Sequence, residues 1–472
     1  LTVEYTTHPV WSAIQALPTL FHTCHDDLLT LISGYYAATL CKHLYETVED
    51  MDKVLKVDMD SVEDFRTKVW EKILERQLGS GAFIWFPGME HSTYLTREVA
   101  FQLVRLNRLL GEEDERTAEV LEKAVTYLRS QLKKDTSLST SALHHLYIVS
   151  SMGKDLDTNE KRLLKELAKV SDEWSLEDRA LASIVLHVQD KNRATNRMMD
   201  GVEKYLGGTP ETGRYVDYPS GSFTSIDRKI HIHTQIMEAV MAVRPEAQEL
   251  WKGMRRWLLL EKRTTDWNTP INTIDAVYAL LSAGREELKD EAQDALDVKG
   301  KGYTQRLTSP DHRKGYVKAE IDVPSPKTLQ IHKVSQGESW GAVYAQFDQQ
   351  MDSVSAAWQG INIRREMSHL SPKVGDRIHI RYVITATMDY DYVLLHAPRP
   401  ASTEPAQPMS GHLYSNGLSC YRTVRDEATD YYIAHLPKGT YVLEEDVMVE
   451  REGSYNAGIT TIECMYTTSL VR

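Results

Sequence analysis

Up to about residue 300, apolar positions recur with the period of a helix. Val99, Leu103, Leu106 and Leu110 are spaced four, three and four apart. Leu121, Ala124 and Leu128 follow the same rule, as do Leu163, Leu167 and Val170. Gly111 marks the end of the first of these patterns, and Ser151-Met152-Gly153 closes another. The spacing predicts roughly ten to twelve helices with short connections, so that neighbours run antiparallel.

A weak repeat punctuates this half. GSGAFIWFPG (Gly79–Gly88), TGRYVDYPSG (Thr212–Gly221) and TTDWNTP (Thr264–Pro270) each place aromatics and a proline between two helical patterns. A helix rich in small and apolar residues follows each one. Helical hairpins recurring in this way stack on their neighbours. About six of them closing on themselves form an α/α toroid, whose inner helices are covered on both sides. The nearly continuous apolar run Ala276–Ala283 fits such a helix.

Beyond residue 300 the period falls to two. Ile378, Ile380, Tyr382 and Ile384 point one way, and Arg377, His379 and Arg381 the other. Tyr441, Leu443, Val447 and Val449 share a face that Glu445 interrupts, which predicts a bulge or an edge at that residue. Ile462, Cys464 and Tyr466 line a third strand. Turn signals at Val374-Gly375-Asp376, Pro437-Lys438-Gly439 and Glu452-Gly453-Ser454 separate these runs. Together they predict an antiparallel β-sandwich of about 120 residues. Between the two halves, Lys327–Lys333 and Trp340–Phe347 read as a hairpin across SQGES. The expected fold class is therefore multidomain, α then β. An α/α toroid occupies 1–286, a small β module 287–350 and a β-sandwich 351–472.

Composition narrows the function classes. A chain of 472 residues exceeds one core. A hydrophobic fraction of 42% with 26% charged residues is that of an ordinary globular protein. The net charge of −13 argues against nucleic-acid binding, which needs a basic surface. No stretch is long and apolar enough to predict a transmembrane helix. The chain opens on Leu1 with neither an initiator Met nor a signal peptide, so it reads as a processed product or a piece of something longer. Of the four cysteines, Cys24 and Cys41 lie about 25 Å apart along one helical pattern and cannot pair. Cys420 and Cys464 fall on two strands and could pair; two free core thiols are the expected state.

Several blocks carry a family resemblance. They are LTVEYTTHPVWSAIQALPTL, SGYYAATL and WNTPINTIDAVYALLSAG, then VGDRIHIRYVITATMDYDYVLLHAPRPASTEPA, YRTVRDEATDYYIAHLPKGTYVLEEDV and AGITTIECMY. In this order, from Leu1 to Tyr466, they resemble bacterial alpha-2-macroglobulins. The resemblance implies the C-terminal part of a much larger protein: a thioester-type helical domain, a CUB-like β part and a terminal macroglobulin-like sandwich. It implies proteases as partners, trapped when a bait segment upstream is cut, together with upstream macroglobulin domains of the same chain. It also implies export, to the periplasm or the cell surface.

The family's thioester is a Cys-x-Glu-Gln motif between the ALP segment and the Tyr-Tyr-Ala helix. The bond needs a thiol and, three residues later, the carboxamide of a Gln. In FHTCHDDLLTLISGYYA the Cys position is occupied by Asp27, the Glu by Leu29 and the Gln by Thr30. Three residues after Cys24, Cys41, Cys420 and Cys464 stand Asp27, Leu44, Thr423 and Thr467. The segment reads as a vestige, with Asp26 or Asp27 serving as a helix N-cap and Leu28, Leu31, Ile32 and Tyr35 as the buried stripe.

Other candidates are weaker. His22, Cys24, His25, Asp26 and Asp27 are ligand-type side chains but lack the second half of a paired zinc spacing, so they read as a polar helix start. His231 and His233 alternate and would share a face on a strand, as metal ligands or as a base in the ring mouth; His144-His145 is a further pair. Satisfied core or surface histidines are the commoner outcome. Loop aromatics gathered at one end of the toroid, Trp85, Phe86, Tyr94, Tyr215, Tyr218 and Trp267, could stack on sugars, plug the ring or pack; packing is the expectation. Of these, Trp85, Tyr94, Tyr218 and Trp267, with His231, are the candidate ring-mouth contacts. Lys123, Lys133 and Lys134 read as solvated helix faces. No catalytic residue, metal or cofactor is expected. Two competing readings remain: a toroid polysaccharide lyase using a Tyr/His or His/Glu couple drawn from Tyr94, Tyr218, His231 and Glu90, and an envelope adhesion or scaffold module.

Overall fold

Thirteen α-helices precede the β-rich part of the described chain. The structure, a computed structural model, describes every residue except 23–24, 133–137, 170–173, 217–227, 290–294, 301–302, 311–312, 314, 322–327, 335–337, 349, 351–359 and 468–472. In chain order six helices form an inner layer: α2 (Leu28–Thr47), α5 (Thr93–Leu110), α7 (Thr140–Ser151), α9 (Leu176–Val188), α11 (Lys229–Val243) and α13 (Pro270–Gly284). Each packs on the next, and α13 packs back on α2, which closes a ring. Six more cover them from outside: α1 (Val10–Ala16), α4 (Met59–Glu75), α6 (Glu115–Leu132), α8 (Thr158–Leu167), α10 (Asn192–Glu203) and α12 (Gln248–Leu260). The short α3 (Met51–Leu55) links α2 to α4.

Local chemistry sets the helix starts. Ser92, Ser139, Asp157, Ser175 and Thr269 each accept a backbone N–H of the first turn through a side-chain oxygen. Asp157 and Glu160 complete a reciprocal capping box, and Pro270 occupies the first turn of α13. Gly111 ends α5 with φ +79°, a left-handed conformation that glycine adopts without steric cost. Inner and outer helices differ as the ring requires. In α13 every residue from Ile271 to Leu281 is buried, whereas outer α8 buries Leu163, Leu164 and Leu167 along one stripe.

The chain divides into two units. The first comprises Leu1–Ile84, His91–Pro219 and Lys229–Gln346; the second comprises Trp85–Glu90, Ser220–Arg228 and Phe347–Arg472. Within the first unit two three-stranded sheets accompany the ring, besides the two-stranded pairs β2 (Phe83–Ile84) with β3 (His91–Ser92) and β4 (Leu206–Gly207) with β5 (Tyr215–Val216). One runs β10 (Trp340–Tyr344), β1 (Thr2–Thr6), β8 (Tyr316–Glu320), and the other β7 (Tyr303–Thr308), β6 (Ala295–Gly300), β9 (Gln330–Lys333). Val3, Tyr5, Leu296, Val298, Leu307, Val317 and Ile321 share one core between them. The expected hairpin of Lys327–Lys333 with Trp340–Phe347 is not formed, because β9 pairs with β6 and β10 pairs with β1. The N-terminal strand supplies the longer-range partner: β1 is buried on both faces and sits between β10 and β8.

That strand also carries a buried charge. Val3 and Tyr5 enter the β core, while Glu4 points the other way and is 1% exposed. Lys262, just after α12, donates to Glu4 Oε1 at 3.0 Å and Oε2 at 2.9 Å. The Tyr316 hydroxyl donates to Oε1 at 2.7 Å and the Tyr344 hydroxyl to Oε2 at 3.1 Å. Burial presses the Lys262 pKa down, and the Glu4 carboxylate counters only part of that effect.

The second unit contains a sandwich. One sheet runs β11 (Ile361–Met367), β12 (Arg377–Ala386), β18 (Gly439–Val449), β14 (Thr403–Pro405). The other runs β15 (Gly411–Ser415), β16 (Leu418–Val424), β17 (Ala428–Leu436), β13 (Tyr390–Pro398), β19 (Thr461–Cys464). The alternation read from the sequence is present, with Ile378, Ile380, Tyr382 and Ile384 all in the core. Glu445 marks neither a bulge nor an edge. β18 pairs with β12 in unbroken register from Gly439 to Met448, and Glu445 points into the core. Thr429 Oγ1 donates to it at 2.5 Å and the Tyr382 hydroxyl at 3.2 Å, with the buried Arg399 guanidinium 3.8 Å away. A satisfied carboxylate can occupy a core position without deforming its strand. Cys420 and Cys464 are free and buried, on strands separated in the sheet by β17 and β13.

Lys262→Met leaves Glu4 charged, buried and short of its cation, and is expected to cost about 3–5 kcal/mol in urea unfolding. Adding Glu4→Gln to that variant is expected to restore part of the loss; equal stability of the single variant and the wild type would contradict this reading.

Candidate functional site

The start of α2 is where the resemblance places reactive chemistry. Asp27 is fully buried and in an extended conformation, with ψ 155°. Its Oδ1 accepts from the backbone N–H of Leu29 and of Thr30, each at 3.1 Å. It is the N-cap of the helix, a role worth about 1 kcal/mol. Leu29 and Thr30 are buried in the first turn, and Leu28, Leu31, Ile32 and Tyr35 are buried with them. Asp26 is held differently: Lys72 donates to its side chain at 2.8 Å and Arg76 to its carbonyl at 2.7 Å. His22 is exposed and His25 half-buried; Cys24 lies outside the described residues. The remaining thiols are poorly disposed to react. Burial pushes Cys420 and Cys464 up to about 12 and Cys41 still higher, so none is a thiolate at neutral pH.

The ring interior holds a larger polar constellation. Glu98, Gln102 and Arg105 lie on one face of α5, a turn apart. Arg105 is fully buried. It donates to Asp275 Oδ1 on α13 at 2.8 Å and to Glu238 Oε2 on α11 at 2.9 Å. Its guanidinium lies 4.3 Å from the Phe101 ring centroid and 4.5 Å from that of Tyr278. The Tyr147 hydroxyl on α7 donates to Glu238 Oε1 at 2.7 Å, and Arg108 donates to the same oxygen. Gln102 donates to Asp275 at 2.9 Å and to Glu98 at 3.1 Å. Burial by itself raises a carboxyl pKa. Arg105 and Arg108 overcome it at Glu238, and His231 and Arg105 at Asp275, so both carboxylates stay ionised.

Histidines occupy the same layer. KIHIHTQ is helical, in α11, so His231 and His233 do not share a face as they would on a strand. His231 Nδ1 meets Asp275 Oδ2 at 2.9 Å, while His233 Nε2 donates to the Met254 carbonyl at 2.9 Å. His144 Nε2 lies 3.0 Å from Glu177 Oε1. His145 Nε2 lies 2.6 Å from Glu160 Oε1, which also accepts from Arg129 Nε at 2.8 Å. Burial would raise the Glu160 carboxyl. Hydrogen bonds from His145, Arg129 and the Asp157 backbone N–H reverse this and hold it at about 2.

The loop aromatics are dispersed. Trp85 is buried in the second unit, where its Nε1 donates to the Tyr466 hydroxyl at 2.9 Å and its ring meets Tyr392 edge-on at 4.9 Å. Phe86 stacks on Tyr421 at 4.8 Å. Trp267 is buried in the first unit and donates through Nε1 to the Leu258 carbonyl at 2.7 Å. Tyr94 is half-buried, with the Arg97 guanidinium 5.5 Å from its ring centroid. Tyr218, Lys133 and Lys134 lie outside the described residues. Trp85, His231 and Trp267 therefore offer no surface for stacking. Sequence reading passed over Arg105, Glu238 and Asp275. Their signal is weak: Glu238 and Asp275 are the lone acidic residues of the largely apolar α11 and α13, while Arg105 is one of several charged residues on α5.

His233 gives a pH dependence. Burial lowers its pKa from 6.5 to about 4, against an opposing hydrogen bond to Met254. The folded state therefore holds it neutral, and its contribution is complete above pH 6.5. That contribution is lost as the pH falls through 4, and it amounts to roughly 3 kcal/mol. Urea unfolding of the wild type is expected to lose that much more stability than His233→Gln between pH 7 and pH 4; parallel curves would contradict the assignment.

Comparison with known proteins gives a consistent result. Residues 349–468 match the bacterial alpha-2-macroglobulin MG10 domain family. No curated protein sequence matches. Native alpha-2-macroglobulin of Escherichia coli, from domain MG7 to the C-terminus, superimposes with a TM-score of 0.69 at 12% identity, covering 98% of this chain and 74% of that one. Salmonella alpha-2-macroglobulin reacted with methylamine gives 0.69 at 14% identity, covering 98% of this chain. The native conformation of the E. coli protein gives 0.69 at 12% identity, covering 99% of this chain. Against these two longer chains, the present one spans about 30% of their length. Residues 349–468 thus belong to the bacterial alpha-2-macroglobulin MG10 family, and the chain as a whole has the fold of a bacterial alpha-2-macroglobulin C-terminal region.

Proposed function

We propose that this chain is the non-catalytic C-terminal region of a thioester-less alpha-2-macroglobulin-like protein that restrains proteases by steric enclosure. In this reading 1–286 is the thioester-type domain, 287–350 the CUB-like part and 351–472 the terminal macroglobulin domain. The observation that carries it is the cap at α2. Asp27, standing where the family's motif puts its Cys, uses its carboxylate to bind the Leu29 and Thr30 N–H groups. Leu29 and Thr30 supply no carboxamide. An acyl–sulfur bond needs a thiol to displace ammonia from a Gln side chain, and no cysteine in the sequence has a Gln three residues on.

The ring then acts as a wall and docking body, and the target proteases meet the upstream macroglobulin domains of the same chain. The reading places the protein outside the cytoplasm, in the periplasm or at the surface. No helix among the described residues is long and apolar enough to cross a membrane.

The test uses the full-length protein, a protease and a labelled small amine. Cleavage is expected to leave the protease active on small substrates and hindered on large ones, with no amine incorporated. Label on residues 24–30, or an amide crosslink to the protease formed there, would overturn the proposal, as would a protease that remains fully active on large substrates.

A further inference from the structure

Three histidine and carboxylate side chains meet inside the ring in a way that the cap at α2 does not involve. His144 on α7, Glu177 on α9 and His231 on α11 come from three consecutive inner helices. All three are buried, and one ligand atom from each lies within 4.8 Å of the other two. We propose that they form a binding site for one divalent transition-metal ion of the zinc class.

The donors suit such an ion. Two imidazole nitrogens and one carboxylate oxygen are the ligand types zinc takes, at about 2.0–2.2 Å each. His144 Nε2 and Glu177 Oε1 are 3.0 Å apart, a few tenths of an ångström inside the roughly 3.3 Å between two ligands on one tetrahedral centre. The His144 and His231 rings lie 12° from parallel with centroids 6.2 Å apart, and drawing ligand atoms that lie within 4.8 Å of one another to tetrahedral spacing asks for shifts of up to roughly 1.5 Å. Phe101 lies against both imidazoles, at 5.5 and 5.3 Å, and forms an apolar wall.

The surroundings of His231 resemble the outer shell of a metal ligand. Its Nδ1 faces Asp275 Oδ2 at 2.9 Å and so donates its proton there. This fixes the tautomer and leaves the lone pair on Nε2. Asp275 is itself held by Arg105 and Gln102, which keeps it in that supporting role. Beside Nε2 stands the amide nitrogen of Gln235, at 2.5 Å. Gln235 is fully buried, and its Oε1 has no hydrogen-bond partner among the described residues. A buried, unpaired amide oxygen is costly. An ion on His231 Nε2 accounts for it: the amide turns over and Oε1 becomes the fourth donor. One carboxylate and two neutral imidazoles leave a single positive charge, which the ionised Asp275 offsets through His231.

The experiment uses the whole chain after removal of metal with a chelator. Titration with Zn²⁺ against a chromophoric competitor is expected to show one equivalent bound per chain. Co²⁺ substitution is expected to give the strong visible bands of a four-coordinate site. The near-isosteric Glu177→Gln and the variant His231→Gln are each expected to weaken binding by about 100-fold or more. His435→Asn, at the exposed His435–Asp391 pair, is expected to leave binding unchanged. Absence of a stoichiometric site in the wild type would overturn the proposal. So would a weak six-coordinate Co²⁺ spectrum, or unchanged affinity in a folded Glu177→Gln chain.

Discussion

Arg105 sets the terms for the helical ring. A guanidinium cannot be neutralised and cannot be left unpaired in a protein interior, where removing one partner of a buried ion pair costs several kcal/mol. This one is fully buried on α5, and its carboxylates come from α11 and α13. Tyr147 adds α7 to the same network through Glu238. Apolar packing would tolerate small rotations and slips of these helices. Charge pairing at 2.8–2.9 Å does not, so four of the six inner helices are held in one arrangement.

The same device recurs in the β-rich parts. Glu4 takes a cation and two phenols, and so joins the N-terminal strand to the end of α12. Glu445 sits in the core of the sandwich with a threonine, a tyrosine and an arginine around it. At the start of α2 a carboxylate again meets backbone donors. In each case one buried acidic residue supplies specificity that side-chain volume alone does not. It does so because the penalty for misplacing it is large.

Much of this fold can be read along the chain. The three- and four-residue spacing of leucines, the capping serines and aspartates, and the strict alternation in Arg377–Ile384 are local signals, and local structure obeys them. What fails is what depends on distant partners. Gln330–Lys333 and Trp340–Tyr344 have strand composition but find their neighbours in β6 and β1, since pairing is decided by which edge is open in the assembled fold. KIHIHTQ alternates like a strand yet is helical, because the residues after it continue an inner-helix pattern. Glu445 breaks an apolar face only until Thr429, Tyr382 and Arg399 are brought around it. For the site, an N-cap at Asp26 or Asp27 was legible from two aspartates standing before an apolar helical stripe, and Asp27 supplies it. The convergence of His144, Glu177 and His231 was not, because 33 residues separate the first two and 54 the last two, and only the packing of α7, α9 and α11 brings them together.

The most direct test of this account is the unfolding free energy of Arg105→Met. If the buried guanidinium organises the ring, this substitution of similar length costs about 3–5 kcal/mol, and adding Glu238→Gln and Asp275→Asn recovers part of the loss. A single variant within about 1 kcal/mol of the wild type, inside the range of an ordinary exposed ion pair, would contradict it.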